Sequence, residues 1–564
     1  MSYEINQALC SCCHQCKAVC PVSAVRFRGN KYWIDPEKCI DCGACASVCH
    51  NCIISRIGEE VSPPPEHPVI HLQADLVVCG GGGSGLIAAA KAASLTGKKV
   101  IVLEKSKKCG GNTWYAGGFH AHYARILKEA GVPDTRDEEI RRFLIDVLWQ
   151  EDRHLVYNIF HATEELTDWL MDECGCQEDF VVGETPSGGK GLRFVNKTGK
   201  KYKRLDTSIG PGGMGSYIIE KMLKKCEELG VTILTEHAAQ ELLLENGQVT
   251  GVLAKDPGGI TEIHAKKVIL STGCFSYNDA YLEKATPDFF AEGEPVHRFS
   301  VPTCTGDGIT MAAKAGAAID WKNTKALALG PAHHPFGFAT VCICREPEIV
   351  LFNADGRRWA NEMENTMALR HELKKQPHLI AWAVADSRIV RTCAERLVAQ
   401  GRDGADGVRI ISAYSEEMEE ESRLDMPTKK ADTLEELAEL MGVPCDIFIN
   451  EIAHYNEMCH NGRDTDFFKA PEYMLPVENP PYYAFFEKRF QENAAGGMKI
   501  DSTCHVLNEN AQIIPGLFGT GDNTRGILIG GDLGTDYVER VISALTWCVA
   551  SGYIAGQAAA AELM

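Results

Sequence analysis

Residues 75–104 read DLVVCGGGGSGLIAAAKAASLTGKKVIVLE, and their order sets the fold of most of the chain. A short apolar run, Leu76–Cys79, suits a buried parallel strand. Gly80, Gly82 and Gly85 follow in G-x-G-x-x-G spacing, with Gly83 and Ser84 between them, and an alanine-rich helix comes next. Glycine is required here because the chain turns sharply, its backbone must approach a pyrophosphate, and the helix must pack closely on the strand. Helix amides from about Ser84 then present the positive end of the dipole to phosphate. A second apolar run, KVIVLE, ends at Glu104, nineteen residues after Gly85, where an acidic side chain would bond a ribose hydroxyl. Strand, glycine turn, helix, second strand and terminal acid in this order predict a dinucleotide-binding α/β domain.

The continuation KSKKCGGNTWYAGG runs to Gly118. With VILSTGCF, TGDGITMAAKAGA, ADGRRWANE, KADTLEELAELMG and IPGLFGTGD, it resembles the flavoprotein family of fumarate reductase, soluble flavocytochromes, succinate dehydrogenase and ketosteroid dehydrogenase. The resemblance extends from about residue 70 to the C-terminus. It implies an FAD-binding Rossmann-type domain at 75–330 and 496–564, with an inserted α+β capping domain at 331–495. It also implies FAD contacts from Glu104, Lys105, Gly111, Asn112, Thr113, Gly117, Gly118, Thr272, Gly273, Asp307, Gly521 and Asp522. Succinate dehydrogenase carries a histidine just before its A-GG segment; this chain has GGNTWYAGG, so the flavin is expected to be non-covalent.

The first sixty residues are expected to form a separate domain. Cys10, Cys13, Cys16 and Cys20 are spaced C-x2-C-x2-C-x3-C, and Cys39, Cys42, Cys45 and Cys49 repeat the spacing. This is the bacterial two-cluster ferredoxin pattern, in which the fourth cysteine of each run serves the other cluster. Cys10, Cys13, Cys16 and Cys49 are assigned to one [4Fe–4S] cluster, and Cys39, Cys42, Cys45 and Cys20 to the second. Zinc does not use a tripled run with a distant fourth thiol. CSCCH at 10–14 also fits a c-type haem attachment, but Cys13 is already needed by the cluster run. Pro21 follows the first run, whereas His50 follows the second. Residues 61–74 are read as a proline-rich linker.

The bulk composition sets limits. The 564 residues carry a net charge of −20, which argues against nucleic acid or an anionic membrane as partner. No run of eighteen apolar residues is present, and the N-terminus has no charged-then-apolar leader, so a cytoplasmic protein is expected. The 24 cysteines then call for a use other than disulfides. Only one complete dinucleotide fingerprint occurs, so electrons are expected from an external one-electron donor such as a ferredoxin or flavodoxin rather than from a built-in nicotinamide domain. A homo-oligomer stays open.

The resemblance places a mobile cap over the flavin and candidate chemistry on four residues. His334 and Arg345 fall on cap positions that hold substrate or relay protons, and Tyr537 and Arg540 fall near the glycine-rich loop before the last helix. Other family positions are changed: Cys342 replaces an acid, Thr366 the proton-donating arginine and Asn493 a substrate histidine, with Arg370 nearby. A buried dianion needs paired cations, so fumarate itself is not the expected substrate. The expected activity is reduction or formation of an activated C=C bond beside a carbonyl or carboxyl group. The alternative is a flavin relay between ferredoxin and a partner protein.

Overall fold

The apolar run ahead of the glycines forms the strand its composition predicts, and the sheet around it positions the whole site. The computed structural model describes residues 2–10, 15–28, 31–58, 66–116, 121–177, 180–184, 190–194, 214–285, 297–298, 300–325, 328–331, 346–364, 369, 372–399, 428–491, 495–527 and 543–564.

The N-terminal domain holds the strands β1 (Tyr3–Ile5), β2 (Val25–Arg28), β3 (Lys31–Ile34) and β4 (Ile54–Arg56), and the one-turn helices α1 (Gln15–Val19) and α2 (Ala44–Val48). β1 pairs antiparallel with β4, and β2 with β3, so each half of the repeat lends a strand to closing the domain. Its small core joins Ile5, Val25, Tyr32 and Ile34 to the Cys16 and Cys45 thiols. A core this small generally needs staples, and metal clusters are one kind.

β5 (Ile70–Cys79) begins inside the span expected to be linker. Leu76–Cys79 are fully buried, as a parallel strand covered on both faces requires. α3 (Gly83–Thr96) follows, then β6 (Val100–Glu104). β6 pairs parallel with β5 on one side and with Thr232–Thr235 on the other. On its opposite side β5 pairs parallel with Gly259–Leu270, which also pairs with Ile513–Gly519. An antiparallel hairpin, Ala238–Glu245 with Gln248–Asp256, extends the sheet on one side, and His505–Leu507, antiparallel to Ile513–Gly519, makes the eighth strand.

Alanines dominate α3 because it is buried along Gly83–Ala93. The last helix, Ala544–Leu563, crosses it at small residues. A Cβ added to Gly552 would lie 2.3 Å from the Ser84 carbonyl, and one on Gly556 2.6 Å from that of Ala88. The charge alternation at 134–180 suggests surface helices, but Arg153–Glu173 buries Leu155, Ile159, Phe160, Leu166 and Leu170 in the same core. Its charged residues occupy only the outer face.

The cap is a second layer built on Tyr482–Gln491, which pairs antiparallel with Ile380–Asp386, Ala328–Pro331 and Thr428–Ala431. His297–Arg298 joins the same strand in parallel, so the cap sheet draws on residues upstream of the expected boundary at 331. Beneath it, Arg358 from the ADGRRWANE motif is buried against Glu362 and Asp464, and Lys469 lies 3.2 Å from Glu362. Two cations and two carboxylates balance inside the cap, which gives the motif a structural task.

Candidate functional site

The fingerprint turn opens onto a cleft that is partly open to solvent. Of the cofactor positions expected from sequence, Gly80, Gly82, Gly83, Ser84, Glu104, Lys105, Gly111, Asn112, Thr113, Thr272, Gly273, Asp307 and Asp522 line it. They come from β5, α3, β6, a 3-10 turn at Gly111–Tyr115, the ends of two further strands and the helix at Asp307. Gly521 stands beside them. Its φ is +72°, and an added Cβ would meet Ser84 Oγ at 2.7 Å. Gly117 and Gly118 lie outside the described residues.

The fingerprint glycines divide the work expected of them. Gly80 sits at φ +115°, and a Cβ there would fall 2.0 Å from the Ser271 carbonyl. A Cβ on Gly85 would fall 2.0 Å from the Gly80 carbonyl, so this glycine lets helix and strand meet. Gly82 is different: its Cβ would have only the Gly110 carbonyl oxygen, at 3.9 Å, as a protein neighbour. The N-terminus of α3 has no side-chain cap at Gly82. A fourteen-residue helix whose N-cap is a glycine without close neighbours, opening on a cleft, fits a pyrophosphate.

Glu104 closes β6 with both carboxylate oxygens accepting backbone N–H groups, from Gly81 at 2.9 Å and Ser106 at 2.7 Å. Burial pushes its pKa up, and those amides oppose the shift. The Ser106 side chain also bonds this carboxylate, and its remaining acceptor capacity is open to a ribose hydroxyl. Lys105 donates to Thr305 and to Asp307, each at 2.7 Å. Asn112 accepts from the Val301 amide at 2.8 Å and donates to Ser300 at 3.2 Å, and Thr113 Oγ1 accepts from Gly83. The cleft wall is therefore rigid before any ligand arrives.

Sequence reasoning missed several wall residues, among them His237, Thr303, Cys304 and Cys548. Cys548 donates to Asp522 Oδ1 at 3.4 Å. It lies one turn into the last helix, whose first turn is capped by Ser543. Only a signal tying residue 548 to residue 522 across the fold could have found it.

In the N-terminal domain some of the thiols lie close enough to influence one another. Burial pushes the Cys45 thiol up, and the nearby Cys39 and Cys20 thiols add to the shift. Burial does the same to Cys49, which senses Cys10. The Ala24 amide donates to Cys20 Sγ at 3.2 Å. Cys45 is thus linked to Cys20 and Cys49 to Cys52 and Cys10; among the described residues no group of three or more Cys, His, Asp or Glu side chains is placed to hold a metal ion. Cys13 lies outside the described residues.

The two domains touch at the cleft. His50 stacks on Trp114, with centroids 4.4 Å apart and planes at 10°. Tyr115 donates its hydroxyl proton to Asn51 Oδ1 at 3.1 Å. Burial, aided by Lys108, lowers the His50 pKa to about 4, so the ring is neutral at physiological pH. Trp114 and Tyr115 thus face the ferredoxin-like domain, while Thr113 beside them faces the cleft.

His334, Arg345, Tyr537 and Arg540 all lie outside the described residues, as do Cys342, Cys344, Thr366, Arg370 and Asn493. Tyr482 and Tyr483 pack in the cap core. One unforeseen acid is Glu151, buried and 2.7 Å from Arg525, which also reaches Asp320 at 3.0 Å. Burial raises its pKa to about 7 against the pull of Arg525. The neighbouring Asp320 and Asp152 carboxylates add to the rise.

A family profile described as the FAD binding domain matches residues 75–532. The chain belongs to that family. A second profile, the 4Fe-4S dicluster domain, matches residues 2–50 of this FAD-binding-family protein, so FAD and iron–sulfur clusters are its cofactors. Its relatives include NADH:acrylate oxidoreductase of Vibrio harveyi, 27% identical over 532 residues, covering 86% of this chain and 50% of that protein. Vinyl phenol reductase of Lactiplantibacillus plantarum (strain ATCC BAA-793 / NCIMB 8826 / WCFS1) is 25% identical over 454 residues, covering 76% and 86%. The chain spans about half the length of the first of these. The open conformation of a flavocytochrome c3 fumarate reductase superposes with a TM-score of 0.66 at 24% identity, covering 87% of this chain and 79% of that one, and so shares the fold. Among the described residues no helix is long and apolar enough to cross a membrane.

Proposed function

We propose that this chain is a ferredoxin-fused, FAD-dependent oxidoreductase that reduces, or in reverse forms, an activated C=C bond of an α,β-unsaturated carbonyl or carboxyl compound. One observation carries the reading: the cluster-bearing domain docks on the turn, Gly111–Tyr115, that also lines the FAD cleft. Bound, the clusters supply single electrons and the flavin supplies hydride to an electron-poor carbon. The chain's own groups bind and orient. The Gly82 turn and the α3 N-terminus receive pyrophosphate, Glu104 the ribose, and Asn112, Thr113, Thr272, Gly273 and Asp522 the remainder of the cofactor. Cys10, Cys13, Cys16, Cys20, Cys39, Cys42, Cys45 and Cys49 hold iron in the two crossed sets.

The names of the acrylate and vinyl phenol relatives support a C=C substrate. Fumarate is disfavoured because Thr366 and Asn493 replace a family arginine and histidine, leaving a dianion short of partners in a low-dielectric site. Tyr537, Arg540, Arg345 and His334 are proposed for substrate anchoring and protonation. An external one-electron carrier of ferredoxin or flavodoxin type loads the clusters. The reducing cytoplasm is the compartment that preserves such thiols.

The test is anaerobic. Protein reduced with dithionite, freed of excess reductant, is mixed with a panel of 2-enoates, enones and vinyl phenols. The reading expects at least one compound to reoxidise the flavin and to leave as the product two hydrogens heavier. Reduced protein that stays reduced across the panel would sink it.

A further inference from the structure

The second cysteine run departs from the first at one place: His50 stands where Pro21 follows the first run. The structure gives that departure a use. His50 follows Cys49, and its ring lies flat on Trp114 at 4.4 Å, with Tyr115 edge-on at 6.0 Å. Asn51 accepts the Tyr115 hydroxyl proton at 3.1 Å. Gly110, at φ +137°, leaves room for the ring: an added Cβ there would meet His50 Nε2 at 3.0 Å. On the far side of the same five-residue turn, Gly111, Asn112 and Thr113 line the FAD cleft. One step along the chain, from Trp114 to Thr113, therefore separates the ferredoxin side from the flavin side. In the second cysteine run, Cys42 is exposed to solvent, and Ile40 beside it is 59% exposed.

We propose that His50 and Trp114, braced by Asn51 and Tyr115, are positioning residues that fix the cluster held by Cys10, Cys13, Cys16 and Cys49 as the one that discharges into the flavin. The cluster held by Cys20, Cys39, Cys42 and Cys45 is then the one loaded from outside. This rests on the reading of the preceding subsection and adds a direction of travel within it. Each event oxidises one cluster by one electron and passes that electron to the flavin. The outer cluster then recharges the inner one. Two events, with protons taken from water, complete flavin reduction, and the external carrier is the reductant. Electron transfer slows steeply with distance, so a junction that opens is felt as rate.

The test uses the full holoprotein, three single variants and the double variant His50→Pro with Trp114→Leu. His50→Pro restores the residue that follows the first run, His50→Phe keeps a flat ring, and Trp114→Leu removes the other half of the stack without touching the ligand loop. Stopped-flow reduction without oxygen follows iron–sulfur and flavin absorbance separately, EPR titration follows the cluster potentials, and hydrogen exchange reads the amides of Trp114 and Tyr115 without turnover. The expected result is unchanged cluster bleaching and unchanged potentials in all variants. Flavin bleaching should slow about tenfold in His50→Pro and Trp114→Leu, equivalent to about 1.4 kcal/mol in barrier. The double variant should be no slower than either single one, because both remove the same contact. Exchange should quicken in those two variants, and His50→Phe should recover most of both losses.

Flavin bleaching at the original rate in His50→Pro and Trp114→Leu would overturn the assignment. So would exchange that stays slow while His50→Pro alone is impaired, with shifted potentials, since that marks an effect on the cluster itself. If the flavin of the unaltered protein is never reduced through its clusters, the preceding reading fails. If it is, and the variants keep pace, only the junction fails.

Discussion

Gly82→Ala separates cofactor binding from folding. Its backbone, at φ −77° and ψ −177°, is open to alanine, and the nearest atom to an added Cβ is 3.9 Å away. The FAD-free protein should therefore fold normally and gain up to about 1 kcal/mol from the less flexible unfolded chain. The methyl would stand in the cleft at the α3 N-terminus, holding a phosphate off the amides. A hydrogen bond to a charged group contributes about 1.5–3 kcal/mol, so losing one weakens FAD binding about 10- to 100-fold. Gly85→Ala is the contrasting case. Its Cβ would lie 2.0 Å from the Gly80 carbonyl, which must move or unfold, costing about 1–3 kcal/mol before any cofactor is added. The assay is the melting temperature of the FAD-free form together with a fluorescence titration of FAD. Gly82→Ala should keep its melting temperature and lose affinity, whereas Gly85→Ala should lose both. A Gly82→Ala protein that binds FAD like the original would refute this use of the glycine turn.

Three further outcomes follow from buried charge and close packing. Arg358→Met removes the guanidinium from Glu362 and Asp464, which keep Lys469 and backbone amides, and should cost about 3–5 kcal/mol in denaturant unfolding; Asp464→Asn added to it should cost less than the sum. Glu151 has a folded pKa of about 7 against 4.5 unfolded, so its stabilisation is complete below about pH 4.5 and fades as pH rises through about 7; Glu151→Gln should flatten that part of the stability–pH curve, by about 3 kcal/mol. Gly556→Ala would set a methyl 2.6 Å from the Ala88 carbonyl, force the last helix off α3 and lower stability by about 1–3 kcal/mol, read as a lower melting temperature.

What the sequence made legible was local. The fingerprint, its two strands and the paired cysteine runs are patterns within about thirty residues, each set by one physical need: a close approach, a buried strand or a thiolate cage. What it hid was long-range. Nothing near Trp114 or Tyr115 marks His50 and Asn51 as their partners, because the contact spans 64 residues. The charges of Arg153–Glu173 looked like a solvated surface because its apolar face shows only once Leu155, Phe160 and Leu166 are aligned against the last helix. Arg358 and Asp464 lie 106 residues apart, so a buried quartet looked like two unrelated polar motifs.

The central claim is that eight cysteine thiolates at the front of the chain feed one flavin behind them. It is tested most directly by reducing the anaerobic holoprotein, about eight irons and one FAD per chain, with a ferredoxin too large to enter the cleft. The account predicts that the flavin loses its visible absorbance once the clusters are charged, with four electrons consumed per chain, about two by the flavin and one by each cluster. Clusters that fill while the flavin stays oxidised would contradict it.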